Sequence, residues 1–105
     1  MGLENKLDKH INNLSPGELE RLSLLTEECG EVLQEIGKVL RYGYEGSHPK
    51  YGEKNSRERL QQEIADVLVI ITLMIKENDI NINELAKCMK FKRNKINRAL
   101  RYNKV

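Results

Sequence analysis

The stretch Leu14-Ser15-Pro16-Gly17-Glu18-Leu19, continued by Leu22, Leu25, Cys29, Val32, Leu33, Ile36, Val39 and Leu40, decides the fold. Ser15 is placed to cap a helix, Pro16 takes the first helical position, and Glu18 completes a capping box. Leu14 and Leu19 have the spacing of a hydrophobic staple. The apolar residues that follow recur at steps of three and four, so one amphipathic helix is expected from about Pro16 to about Arg41. Gly30 and Gly37 fall inside it, each costing about 1 kcal/mol relative to alanine. That cost suggests a close approach by a neighbouring helix or a ligand.

Working outward, residues 42–55 contain three glycines and a proline without apolar periodicity, and they read as a long loop of the kind that often carries function. A second helix is expected from Asn55 or Ser56, with Glu58 in capping-box position to Asn55, to about Glu77. Its core stripe is Leu60, Ile64, Val67, Leu68, Ile71, Met74 and Ile75. Val69, Ile70 and Leu73 make its second half apolar nearly all round, which in a short chain suggests a subunit interface. Asn81 and Glu84 repeat the box, with Ile80 and Leu85 as staple, and lead a basic C-terminal helix over residues 85–105. Leu3, Leu7 and Ile11 allow a short leading helix in residues 1–14. An all-α bundle of about four helices, completed by oligomerisation, is the expected architecture.

The 105 residues suit one domain. With 39% hydrophobic and 32% charged residues and no tryptophan, the composition favours amphipathic helices over a β-sandwich. Cys29 and Cys88 form no CxxC pair, and His10 and His48 supply no zinc spacing, so both thiols are expected to be reduced and packed. No membrane-length apolar run and no signal-peptide pattern occur, which points to a cytoplasmic protein. The net charge of +2 conceals an asymmetry. Acids crowd into residues 18–35, whereas beyond Glu84 the charged residues are all basic: Lys87, Lys90, Lys92, Arg93, Lys95, Arg98, Arg101 and Lys104.

At about 100° per residue, Glu28 and Glu31 fall at about 300° and 240° from Leu25 on the first helix, and Glu63 and Asp66 fall at the same angles from Leu60 on the second. Both pairs border the apolar arc. On antiparallel neighbours they would converge, and four carboxylates brought together demand either a cation or raised pKa values. An all-oxygen set suits Mg²⁺ or Mn²⁺. Iron is disfavoured, because neither Glu28 nor Glu63 is followed three residues later by histidine. Glu35 and Glu27 lie near enough in angle to serve as outer ligands or as the base for water. The competing reading makes all of these ordinary surface acids paired with Lys38, Arg57 or Arg59.

Glu27-Glu28-Cys29-Gly30-Glu31, followed by Glu63-Ile64-Ala65-Asp66, resembles the EExxE and ExxD motifs of the MazG-like all-α nucleoside triphosphate pyrophosphohydrolases. The likeness extends to Leu24–Val32, to Asn55-Ser56-Arg57-Glu58 ahead of the second motif, and to the basic Lys95–Tyr102 segment, covering about residues 18–102. It implies a helical bundle, usually dimeric or tetrameric, that cleaves between the α and β phosphates to give a nucleoside monophosphate and pyrophosphate. By motif position Glu28, Glu31, Glu63 and Asp66 would be the Mg²⁺ ligands. The gap between the motifs is longer than in compact members, and the second domain of full-length MazG is missing, which suggests a stand-alone house-cleaning enzyme of the nucleotide pool.

In that mechanism Glu31 or Glu27 activates water, the metal neutralises developing charge, and Lys92, Lys95, Arg98 and Arg101 meet the remaining phosphates. Tyr42, Tyr44 and Tyr51 are candidates to stack on a base. Two other classes predict different behaviour. A nucleic-acid-binding module would use the basic helix, yet it leaves the acids unexplained, since they repel a phosphate backbone; nucleic acid is therefore not the expected partner. A structural interaction protein would use Val69, Ile70 and Leu73 as its partner patch and would lose nothing but stability when Glu63 is changed.

Overall fold

The computed structural model describes residues 12–47 and 54–105, and the expected leading helix lies outside them. Three helices stand in this range: α1, Pro16–Tyr42; α2, Ser56–Lys76; and α3, Ile82–Ala99. The all-α expectation holds, with three helices among the described residues where about four were expected. The chain divides into a first compact unit that ends at Leu73 and a second from Met74 to Val105.

Local chemistry sets the helix starts. At α1, Ser15 N–H donates to Glu18 Oε1 at 2.8 Å and Glu18 N–H donates to Ser15 Oγ at 3.2 Å, so both halves of the capping box form. The start of α2 is more fully provided for. Asn55 and Glu58 exchange bonds of 3.2 and 2.8 Å. Ser56 N–H donates to the Gly46 carbonyl at 2.7 Å and Arg57 N–H to the Tyr44 carbonyl at 2.9 Å, so loop carbonyls satisfy donors that a helix N-terminus leaves open. Gly46 is required there, because a Cβ would overlap the Tyr42 carbonyl oxygen. Arg57 also stacks 4.6 Å from the Tyr44 ring centre and bonds Glu45 through Nε at 3.0 Å, fixing the foot of the loop to α2.

Within the first unit, α1 and α2 run antiparallel, as their cross-helix partners show. Glu31 interacts with Glu63, and four residues further along α1 Glu35 bonds Arg59, four residues earlier on α2. An apolar groove lined by Cys29, Val32, Leu33, Ile64, Val67 and Leu68 runs along this pair. Its walls are open: Leu33 is 69% and Leu68 57% exposed. The stripe expected to be core is thus only partly covered, and Met74 is the buried hydrophobic side chain among the described residues. One expectation is corrected. Cys29 and Cys88 are exposed rather than packed. A Cβ at Gly30 or Gly37 would meet nothing within 4 Å beyond its own helix backbone among the described residues, so these residues supply no close approach at either glycine.

In the second unit the chain leaves α2 through Asn78, whose φ of 64° an asparagine tolerates better than most residues. Asn81 then caps α3, its side-chain oxygen accepting from Glu84 N–H at 3.0 Å, while the Glu84 carboxylate faces Lys87 Nζ at 3.5 Å. The basic helix spans Ile82–Ala99, starting where the Asn81 cap places it and ending short of residue 105. The last residues fold back on it, with Val105 N–H donating to Asn97 Oδ1 at 2.7 Å.

Candidate metal centre

The i,i+3 spacing on each of two paired helices brings Glu28, Glu31, Glu63 and Asp66 together, each offering a carboxylate oxygen within 4.8 Å of the others. All four are half-buried. Around one octahedral ion with bonds of about 2.1 Å, ligand oxygens lie about 3 to 4.2 Å apart, so a small contraction would fit these four to a hard divalent cation. The donor set is all oxygen, which favours Mg²⁺ or Mn²⁺ over softer metals.

Electrostatics distinguish this cluster from a row of solvated acids. Oε2 of Glu28 and Oε2 of Glu63 are enclosed and meet no hydrogen-bond donor. Glu63 is raised to about 7, chiefly because a proton shared with Glu31 stabilises its neutral form, then through desolvation and repulsion from Glu31, Asp66 and Glu28. Glu63 Oε2 lacks a donor because an ionised pair brings none, and a shared proton is the hydrogen bond open to these two carboxylates. Desolvation raises Glu28 as well, followed by repulsion from Glu31, Asp66 and Glu27. Enclosed acceptors without donors, beside mutually repelling carboxylates, are what a cation would satisfy.

The other candidates are placed differently. Glu27 is exposed and near enough to repel Glu28, outside the group of four. Glu35 does not join: its Oε1 accepts from Arg59 Nε at 3.2 Å and its Oε2 from Lys38 Nζ at 3.1 Å, so both oxygens are engaged away from the four. The cations considered as partners for the cluster point elsewhere in these bonds, Lys38 and Arg59 to Glu35 and Arg57 to Glu45. Lys92, Lys95 and Arg98 lie exposed on α3, and Arg101 follows it with its guanidinium 5.9 Å from the Tyr102 ring centre. All four belong to the second unit. Tyr44 packs on Arg57, Tyr42 lies near Arg41, and Tyr51 is outside the described residues.

A family model described as the MazG nucleotide pyrophosphohydrolase domain matches residues 17–98, which include both acid pairs and most of α3. No curated protein matches the chain, and no solved structure does.

Proposed function

This chain belongs to the MazG nucleotide pyrophosphohydrolase family, and from that premise we propose that it hydrolyses a nucleoside triphosphate between the α and β phosphates, releasing a nucleoside monophosphate and pyrophosphate. The observation that carries the reading is the group of four carboxylates with two enclosed, donorless oxygens. Glu28, Glu31, Glu63 and Asp66 would hold Mg²⁺, or Mn²⁺ in its place. When bound, the cation supplies charge neutralisation at phosphate oxygens and a more acidic water. Glu31, inside the cluster, is the favoured residue to orient the attacking water and take its proton, with Glu27 outside the group of four as the alternative. Lys92, Lys95, Arg98 and Arg101 are assigned to the phosphate oxygens that remain, where each added positive charge stabilises the leaving pyrophosphate.

The family match spans residues 17–98 and so runs through both units, which supports reading the chain as one MazG-like domain. The open groove of the first unit, with Val69 64% exposed beyond it, supports a dimer or tetramer in which a second copy covers these apolar residues. Among the described residues no helix is long and apolar enough to cross a membrane. A cytoplasmic house-cleaning role in the nucleotide pool agrees with these features.

The test is pyrophosphate release from ribo-, deoxy- and oxidised nucleoside triphosphates with Mg²⁺ or EDTA, alongside sedimentation of wild type and Leu68→Glu. Metal-dependent release and a smaller species for the variant are expected. Failure of every nucleotide to release pyrophosphate would overturn the enzyme reading and turn attention to nucleic-acid binding by α3.

A further inference from the structure

Glu35 is the most deeply buried carboxylate among the described residues, at 4% exposure, and it belongs neither to the four-acid cluster nor to the family motifs named above. Such a charge is costly to bury unless it is paired and hydrogen-bonded. Both of its oxygens are paired, one to Lys38 on the same helix and one to Arg59 on the other. The bond to Lys38 is local, whereas the bond to Arg59 joins positions 24 apart in sequence and ties α1 to α2.

Position gives this tie its meaning. Glu35 follows Glu31 by four residues on α1, and Arg59 precedes Glu63 by four on α2, so the ion pair lies just over one turn, about 6 Å along the axes, from the Glu31–Glu63 contact. At the level of the acids, like charges press the two helices apart. On the groove side of this level Leu33 and Leu68 are largely exposed and give little clamping of their own. The half-buried Val32 and Val67 hold the helices by apolar contact, and the cross-helix ion pair one turn from the acids adds a directional bond that opposes the repulsion. Mg²⁺ demands near-ideal octahedral geometry, so a small change in helix spacing would carry Glu31 and Glu63 out of common reach of one ion.

We infer that Glu35 and Arg59 are positioning residues: their ion pair fixes the spacing of α1 and α2 so that the four carboxylates are preorganised to share one divalent cation. The inference rests on the reading of those carboxylates as metal-binding. It assigns Glu35 no contact with metal, water or nucleotide.

The experiment is Mn²⁺ binding to the full chain without nucleotide, followed by electron paramagnetic resonance for wild type, Glu35→Gln, Arg59→Gln, Arg59→Lys and the Gln/Gln double variant, with helix content and melting temperature recorded for each. Wild type should bind. Arg59→Gln and Glu35→Gln should weaken Mn²⁺ binding about 10- to 100-fold, as loss of groups supporting metal ligands commonly does. Arg59→Lys, which keeps a charge able to meet Glu35, should recover part of that loss and remain folded even if Arg59→Gln does not. The double variant should be no worse than the poorer single one. Folded variants that melt earlier yet bind Mn²⁺ as wild type does would overturn the inference and leave the pair a purely structural tie. Wild type that binds no Mn²⁺ would remove the metal reading itself, and the inference with it.

Discussion

The first unit carries two clusters of charge one helical turn apart, and they meet burial in opposite ways. Around Glu35 each carboxylate oxygen faces a cation, so the chain completes the arrangement from its own residues. Around Glu28, Glu31, Glu63 and Asp66 the carboxylates face each other, and two enclosed oxygens have no donor. Both clusters sit on the same two helices, Glu35 buried and the four acids half-buried. The difference is that one is complete and the other calls for something the polypeptide does not contain. A cluster that only held the fold together would have little reason to retain repulsion that a glutamine at position 63 would relieve.

The largest expected effect comes from that substitution. Glu63→Gln should lower pyrophosphate release by more than about 100-fold, beyond the loss typical of groups that merely support metal ligands, and should abolish the rise in melting temperature produced by Mg²⁺. In metal-free protein at pH 8 the same change should raise the melting temperature, because the amide carries no charge and can donate to Glu31. Function lost while stability is gained would set the two clusters apart. A variant both active and less stable would make the acids ordinary structural groups.

The ion-pair cluster should respond in the opposite sense. Arg59→Met leaves Glu35 buried with Lys38 as its remaining named partner, and should cost about 2 kcal/mol, somewhat less than the full loss of a buried pair. Urea unfolding checks it, with or without Mg²⁺. If Arg59→Met were neutral, Lys38 alone would suffice for Glu35 and the contrast between the clusters would blur.

Much of this was legible in the residues. The boxes at Ser15 and Asn55 and the three-and-four periodicity place α1 and α2 within a residue or two, because short-range hydrogen bonding and helical geometry govern those features. The two acid pairs could be placed together for the same reason, since equal angles on antiparallel helices lie on the same side and the observed register brings them level. The fate of Glu35 was not legible: its angle on α1 left it free to approach the acids, and only the register with Arg59 decides otherwise. Cys29 misled for a physical reason. Periodicity marks an apolar face without saying what covers it, and the cover for this face is not supplied by the described chain.

Proton uptake sharpens the comparison further. Glu63 is raised from 4.5 to about 7, so between these values the folded, metal-free protein holds a proton that the unfolded chain has released. Its stabilising contribution is therefore present at low pH and is lost as pH rises through about 7. Metal-free protein should melt at progressively lower temperature from pH 5 to pH 8. Saturating Mg²⁺ should reverse the trend, since the cation competes with the proton and binds best where the carboxylates are ionised. Melting curves across this range, with and without Mg²⁺, check both slopes, and Glu63→Gln should flatten the metal-free one.

The smallest effect belongs to a third charged contact, at the foot of the loop. Arg57 reaches Glu45 through Nε at 3.0 Å, but the side chains are 48% and 73% exposed, so water screens the pair and competes for both partners. Glu45→Gln should cost less than about 1 kcal/mol, and most of that should vanish in high salt. The Tyr44 stack and the backbone bonds from Ser56 and Arg57 would still hold the loop against α2. Three acid-containing contacts in and beside one pair of helices thus differ by burial and pairing: an exposed pair that contributes little, a buried pair that ties the helices, and a half-buried set of like charges in which relieving the repulsion would improve the metal-free fold. If Glu45→Gln proved as damaging as Arg59→Met, exposure would not be the variable that ranks them, and the loop foot would have to bear on the acids directly.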